Sequence, residues 1–412
     1  MQFKLRVALM AGALALSIQP VLAEVISLDE AIRRASETTP RLKASEAAIS
    51  AAKAGARQAG VRPNPSLAVE GENLVGTGTY DVFRQSEVTI TYSQPFERGG
   101  KRAARLALAE QDIGVAQASA RIARLDLAAG VQRAFIDVQI ADVVAQISAD
   151  RLTTETAMQR EALRRVRGYK DPLFVESRAA VRVAQARLGL DEARTRQATA
   201  RKHLATYWGG SGTDLAVSEG IVLKPADAMT IAQSDQALRD AEIARARAAV
   251  IVEQSRAKQD YTLSGGARYL RETGDVAIVA GITIPLGRFD RNQGNIERAQ
   301  AERQRMEFLA EAERLERLQR LASLRTDADA ARARADAIML QVYPRAVRTL
   351  EQVREGYNRG GFAFRDVQDA ADAILDVQDQ WLDAITRYRD AQTEIDRLTG
   401  RFEAPIGVET IP

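Results

Sequence analysis

The residues of this chain that could carry chemistry are few and widely spread. The sequence contains no cysteine, which excludes disulfides, thiolate zinc sites and cysteine nucleophiles. Its one histidine, His203, lies in a basic helical segment, where we expect a surface or packing role. Gly99-Gly100-Lys101-Arg102 lacks the earlier glycine and the later Ser or Thr of a phosphate-binding loop, so we interpret it as a strand-to-helix junction. This inventory predicts neither an enzyme nor a cofactor or metal site.

One acidic pair, Asp366 and Asp369, has a consequence that depends on assembly. The two residues are three positions apart on a predicted helix, which places them on one face. Several copies of the chain around one axis would repeat the pair into a ring of carboxylates, which attracts cations and repels anions. The alternative is that both are solvated residues at a helix N-terminus, where the helix dipole favours acidic side chains.

Two pairs of alternating segments predict β-hairpins, at about 66–96 and about 261–285. In the first pair Val88, Ile90 and Tyr92 point to one side, and threonine and serine residues point to the other. Each segment is about ten residues long, which suits a tilted strand that crosses a bilayer. We therefore expect one face to contact lipid and the other to contact water.

The second pair repeats this pattern, with Ile278 and Ile282 in the apolar file that we expect to face lipid. The alternative is a soluble hairpin that lies on a hydrophobic core. The N-terminus favours export, because residues 1–23 have a charged start, an apolar stretch and a small-residue cleavage site typical of a signal peptide. The sequence has no other long apolar run, so any crossing of a membrane must use strands.

The rest of the chain is mainly helix, and it reads as an internal duplication with an offset of about 190 residues. Each repeat contains a helix, a β-hairpin, a long helix, a turn and a returning helix. The first repeat is expected at 24–225 and the second at 226–400, followed by a tail at 401–412. The expected long helices are about 100–167 and about 288–359, with returning helices at about 173–207 and about 364–398.

Four strands cannot span a membrane alone, because the two edges of an open sheet would leave backbone groups unsatisfied in lipid. Two chains would give eight strands, whose interior is normally filled by side chains. Three chains would give twelve strands around a wet lumen, and the polar strand face favours this number. We therefore predict a homotrimer with a 12-stranded transmembrane β-barrel that continues as a periplasmic α-helical barrel with coiled-coil seams.

The overall charge argues against nucleic acid as a partner. The chain has 58 basic and 55 acidic residues, a near-balanced mixture and not a one-sided basic surface. Aromatic residues make up only 5% of the sequence, too few for platforms that stack single-stranded bases.

Several short motifs, taken in order, resemble the TolC family of outer-membrane efflux proteins over essentially the whole mature length. They include Pro63-Asn64-Pro65, Gln94-Pro95-Phe96, Ile284-Pro285-Leu286, Gly356-Tyr357 and Leu398-Thr399-Gly400. The segment from Phe289 to Ile296 resembles the CzcC-like branch, which serves heavy-metal resistance.

This resemblance implies an outer-membrane location that extends into the periplasm, and a passive export duct. The implied partners are a periplasmic adaptor, an inner-membrane pump of the RND type and outer-membrane lipid, and the implied cargo is heavy-metal cations. Two alternatives remain, an outer-membrane duct for drugs or other small molecules, and a soluble periplasmic coiled-coil scaffold.

The resemblance also assigns residues to the helical tip, where the duct would open. Tyr357, Asp366 and Asp369 match gate positions of the family. Phe362 and Phe174 stand where the family has an arginine and an aspartate, so we expect phenylalanine packing to contribute to closure. The turns between the long and returning helices, at the far end from the strands, are the expected adaptor contacts, with Gly168, Lys170, Gly360 and Gly361 as their tip residues.

Overall fold

The structure of the protein is a computed structural model that describes residues 24–218 and 230–403. The predicted signal peptide, the predicted boundary between the repeats at 225/226 and the last nine residues of the tail lie outside this part. The described residues form long helices and a small sheet, which confirms the predicted fold class. Among them, no helix combines the length and the apolar character that crossing a membrane requires.

The order of helix, β-hairpin, long helix and returning helix occurs twice along the described chain. The strands are β1 (Glu24–Ile26), β2 (Ser66–Glu72), β3 (Glu87–Phe96), β4 (Leu215–Val217), β5 (Tyr261–Leu270) and β6 (Asp275–Thr283). The helices are α1 (Leu28–Thr38), α2 (Pro40–Ala59), α3 (Lys101–Arg167), α4 (Phe174–Thr206), α5 (Gln233–Arg256), α6 (Gln293–Ala337), α7 (Tyr343–Asn358) and α8 (Phe364–Thr399).

The four long strands form one antiparallel sheet in the order β2-β3-β5-β6, so the two hairpins lie side by side. In one row of the sheet, Val69 lies opposite Ile90, Ile90 opposite Ala267, and Ala267 opposite Ile278. Residues paired across a ladder point to the same face. Strands β2 and β6 are the edges of this sheet and have no partner on their outer sides within the described residues.

The two faces of the sheet differ as the alternation predicts. On the apolar face Val88, Ile90, Tyr92, Ile278 and Ile282 are all exposed, and Ile278 keeps 91% of its surface accessible. An apolar surface of this kind needs a non-aqueous partner to be stable.

The opposite face of the sheet is polar. Thr89 is only 4% exposed there, because the side chain of Arg268 covers it and donates a hydrogen bond of 3.0 Å to its hydroxyl. Arg268 also pairs with Glu87 at 2.9 Å. The lumen-facing file that the sequence predicts is therefore a hydrogen-bonded surface and not a set of independent positions.

The Gly-Gly-Lys-Arg segment joins β3 to α3, as interpreted from the sequence. Gly99 and Gly100 have φ of 70° and 73°, the left-handed region that glycine tolerates best. Lys101 binds the carboxylate of Asp260 at 2.8 Å, and the amide of Arg98 donates to the same carboxylate at 2.9 Å. The motif fixes the start of the long helix against the start of β5.

The main core of the protomer surrounds the middle of α3. Val131, Phe135 and Val138 pack there against α1, α4 and the small parallel pair of β1 and β4. This strand pair was not predicted from the sequence, because strands of three residues are too short to show alternation. The strands of the first hairpin are joined by a 14-residue loop, 73–86, which contains one 3-10 turn at Gly78–Tyr80.

The second long helix, predicted at about 288–359, is interrupted just before Pro344. Helix α6 ends at Ala337, a π-turn spans Ile338–Val342, and α7 begins at Tyr343. Proline has no N–H and its ring clashes with the carbonyl four residues earlier, so the preceding turn widens. Helix α6 packs on α8 through a hydrophobic seam of Leu321, Leu324, Ala328, Ala331, Tyr388, Ala391 and Ile395.

Candidate functional site at the helical tip

The two turns that join the long and returning helices converge at one end of the molecule. A hydrophobic cluster made by α3, α4, α7 and α8 holds them together, with Phe364 and Val367 buried at its centre. All the residues that the sequence analysis places at the tip lie on these turns or within about three helical turns of them. The structure therefore brings the predicted tip residues into one region.

The first turn exposes a short polar loop. Gly168 ends α3, and Tyr169, with φ of 56°, is 98% exposed. Lys170 is exposed beside it. Asp171 returns to the helix, where Arg165 donates hydrogen bonds of 2.5 and 3.0 Å to its two carboxylate oxygens. This bidentate ion pair ties the loop to the last turn of α3.

The second turn is built on glycine. Gly360 has φ of 83°, and Gly361 donates its backbone N–H to the carbonyl of Gly356 at 2.8 Å. The ring of Phe362 lies against Gly356 so closely that any side chain at that position would clash with it. Asp366 then caps α8, since its carboxylate accepts a hydrogen bond of 2.8 Å from the backbone N–H of Ala363. Asp366 thus has a local structural role in addition to any role at an entrance.

Tyr357 is the residue through which the two halves of the chain meet at the tip. Its hydroxyl donates a hydrogen bond to Glu161 of α3 and accepts one of 3.1 Å from Arg165. The Arg165 guanidinium also stacks on the rings of Tyr357 and Phe364, 5.5 and 6.0 Å from their centroids. Phe362 stands where the family has an arginine, and the arginine that contacts Tyr357 in this chain is Arg165 of α3.

The charges around Tyr357 stabilise one protonation state. Burial alone would raise the pKa of Glu161, but hydrogen bonds from Arg164 and Tyr357 outweigh it and lower this pKa. Burial, and then the hydrogen bond to Glu161, raises the pKa of the Tyr357 hydroxyl. The hydrogen bonds from Arg165 lower the pKa of Asp171. The network is therefore fully formed at neutral pH, with both carboxylates ionised and the tyrosine protonated.

The remaining predicted tip residues lie on the surface. Asp369 is exposed and pairs loosely with Arg365, at 3.7 Å. Phe174 begins α4 and is exposed.

A second ionic link that the sequence analysis did not find lies about two turns above the tip. Arg182 of α4 binds Glu155 of α3 at 2.8 Å and also contacts Asp372 of α8. No local motif reveals such a link, because its members come from three helices. Within the described residues, no three His, Cys, Asp or Glu side chains gather as a group that could hold a metal ion.

Comparison with known proteins identifies the architecture. A family described as "Outer membrane efflux protein" matches residues 31–210 and 228–401, one match in each half of the chain. The chain belongs to this family. It is accordingly an outer-membrane protein that extends into the periplasm, as the resemblance implied.

Curated relatives share this membership. The chain is 31% identical to the "Cobalt-zinc-cadmium resistance protein CzcC" of Cupriavidus metallidurans over 388 residues, which cover 91% of this chain and 90% of that protein. It is 30% identical to the "Nickel and cobalt resistance protein CnrC" of the same organism, over 72% of this chain and 69% of that protein.

Solved structures of efflux-family channels show the same fold. The outer membrane protein VceC from Vibrio cholerae aligns with a TM-score of 0.74 and 20% identity, over 90% of this chain and 96% of that chain. CusC, described as forming a transmembrane channel, aligns with a TM-score of 0.72 and 15% identity, over 90% of both chains.

Proposed function

We propose that this efflux-family chain is the outer-membrane duct of a tripartite system that exports heavy-metal cations. The observation that carries the cargo class is the similarity to CzcC, a protein named for cobalt, zinc and cadmium resistance, over nine tenths of both chains. CnrC, named for nickel and cobalt resistance, supports the same class. An inner-membrane RND-type pump and a periplasmic adaptor would deliver the cations to the duct.

The duct would be a homotrimer. Within residues 24–218 and 230–403, the outer edges of β2 and β6 have no partner strand. Pairing β6 of one copy with β2 of the next would satisfy both edges without a new element. Three copies then close twelve strands around a lumen. In this arrangement Val88, Ile90, Tyr92, Ile278 and Ile282 contact outer-membrane lipid.

Exposed apolar side chains on the helices support the same assembly. Val181 and Leu188 of α4, seven residues apart, are exposed along one side of that helix. Met339 and Leu340 of the π-turn are exposed at a similar distance from the tip as Leu188, about 25 Å along the helix. Contact between α4 of one copy and the π-turn of the next would bury both sets.

The tip would be the periplasmic entrance. Gly168, Lys170, Gly360 and Gly361 are its most distal positions and would contact the adaptor. Site-specific crosslinkers at Lys170 and Phe362 should capture the adaptor. Capture only from Thr77 or Thr273, at the other end of the sheet, would require the opposite orientation.

At this entrance Asp366 and Asp369 would form the acidic ring, and Tyr357 with Phe362 and Phe174 would restrict the opening. Changing both aspartates to asparagine should weaken block by multivalent cations in single-channel recordings. Unchanged cation block and unchanged cation selectivity would show that these aspartates do not line the entrance.

The decisive test of cargo is a deletion of this chain in its own bacterium, scored for growth on zinc, cadmium, cobalt and nickel salts. We expect metal sensitivity that the wild-type chain restores. Restored resistance to drugs with unchanged metal sensitivity would instead support a duct for small molecules. Release of the protein in soluble form by osmotic shock would support the periplasmic scaffold, and a stable monomer in detergent would exclude the trimer.

A further inference from the structure

A cavity of about 510 Å³ lies at the end of the sheet opposite the helical tip, between loop 73–86 and turn 271–274. The two segments are tied together, because the amide of Arg271 donates to the carbonyl of Ser86 at 3.1 Å and the side chain of Gln85 donates to Glu272 at 3.3 Å. The cavity is therefore formed by two segments held in a fixed relation, and not by one free loop.

Two guanidinium groups line this cavity, those of Arg84 and Arg271. Neither forms an ion pair or a side-chain hydrogen bond with any residue in the part of the chain that the structure describes. The one carboxylate in the cavity wall, that of Glu272, already accepts the hydrogen bond from Gln85. The cavity thus has two arginines in its wall, both without a side-chain partner among the described residues.

Apolar side chains surround these charges. Val82 and Phe83 line the same cavity and are exposed, and Phe83 is held with φ of 58°. Tyr269, two residues before Arg271, ends the apolar face of the sheet on this side and is also exposed. Tyrosine side chains are enriched at membrane–water interfaces, where the ring lies at the level of the headgroups, so Tyr269 suits a position beside lipid headgroups.

We propose that this cavity binds the phosphate headgroup of a lipid in the outer leaflet of the outer membrane. Guanidinium donors match phosphate oxygens in pairs, and the adjacent apolar surface matches the start of the acyl chains. The proposal rests on the function proposed above, in which the strands span the membrane with this end outermost. Such a site would anchor the outer rim of the barrel in an anionic leaflet.

The test is lipid retention measured by native mass spectrometry of the purified full chain in a neutral detergent. The probes are diphosphoryl lipid A, phosphatidylcholine and inorganic phosphate. Wild-type protein should retain diphosphoryl lipid A, and the double variant R84Q/R271Q should bind it about tenfold more weakly. The variant R84K/R271K keeps the charge but loses the paired geometry, so it should fall between the two.

The matched control is R288Q/R291Q, which removes two exposed arginines at the opposite end of the sheet and should leave retention unchanged. Equal loss in the control, or no loss in R84Q/R271Q, would overturn the proposal. Tight binding of inorganic phosphate alone would indicate a soluble-anion site and overturn it as well. The same spectra report the number of chains, so a missing trimer would count against the proposed assembly and not against lipid binding by each chain.

Discussion

The two long helices occupy corresponding places in the two repeats, yet they are covered very differently. Helix α3 has seventeen buried residues, and it packs against α1, α2, α4, α5 and α8. Helix α6 has five, and it packs against α5 and α8. The first repeat supplies the main core of the protomer, and the second leaves much of its long helix uncovered.

This difference indicates that two copies of a duplicated unit can take different roles, one in the core of the protomer and one at its exposed surface. Phe308 on α6, Leu340 in the π-turn and Ile278 on β6 are 76%, 76% and 91% exposed. Side chains of this size on a monomer surface favour contact with another apolar surface. We interpret these exposed side chains of the second repeat as surfaces that meet lipid and neighbouring copies, together with the exposed side chains of β3 and α4 in the first repeat.

The largest effect should come from the core of α3. Phe135 is 2% exposed, and truncating it in Phe135→Ala should cost about 3–5 kcal/mol of protomer stability. Thermal unfolding of the purified protein and its level in the outer membrane are the measurements. The matched control is Phe308→Ala on α6, which should leave the protomer fold intact. Equal destabilisation by both changes would remove the contrast between the two helices.

The next effect concerns the exposed face of β6. Ile278→Arg should cost about 2–4 kcal/mol at mid-bilayer, because a charge on the lipid face must leave water. Outer-membrane insertion, followed by heat-modifiable migration on a gel, measures it.

Thr91→Arg, on the polar face, is the control that should insert normally. Thr89 is unsuitable for this purpose, since Arg268 already covers it and a second guanidinium would repel the first. Equal insertion of the Ile278 and Thr91 variants would contradict the assignment of the two faces.

A smaller effect is expected at the π-turn. Leu340→Asp should weaken contact between copies by about 1.5–3 kcal/mol, the value of burying a leucine side chain, without changing the protomer. The fraction of trimer that survives dilution in detergent is the readout, compared with Arg359→Asp, an exposed change at the end of α7. A trimer as resistant as the wild type would show that this surface is not a contact.

The smallest effect lies where the two repeats meet at the tip. Tyr357→Phe removes the hydrogen bonds to Glu161 and Arg165 and should cost about 1 kcal/mol of the closed state. Resting conductance in a planar bilayer should rise. Conductance unchanged from wild type would show that this network does not hold the tip.

The same network sets an expected pH dependence. The pKa of Glu161 is lower in the folded protein than in an unfolded chain, where it is about 4.3. Its contribution is therefore complete above that unfolded value and is lost as pH falls through the lower folded value. Conductance of the wild type should rise below about pH 4 for this reason. The conductance of the Tyr357→Phe variant should rise less over the same pH range.

Sequence patterns predicted the parts of this fold that repeat. Alternation located the strands and their faces. In α6, Leu321, Leu324 and Ala328 have the three- and four-residue spacing of a coiled-coil seam and are buried. Val342 continues this spacing in the sequence but is exposed, because the π-turn shifts it out of the seam. A regular helical repeat is visible in the sequence. The position of a π-turn that interrupts this repeat is not, because it depends on the helices packed against it.

The candidate site was predicted less completely. The sequence indicated Tyr357 and the two turns, but not Glu161, Arg165 or Arg182. These residues act across helices that are distant along the chain, and each carries a charge like dozens of others. Which of these charged residues meet at the tip depends on how the helices pack against one another, and no local motif encodes this.

The π-turn at Ile338–Val342 has one further consequence, which concerns rotational phase. Each residue of an α-helix turns the chain by about 100°, so one residue added to a regular helix would rotate everything below it by that angle. The π-turn takes up one extra residue in a wider turn, so the residues below it keep their facing. Deleting Leu340 should therefore leave Tyr357 facing α3 about 25 Å below, whereas deleting one residue from the regular part of α6 should swing it away.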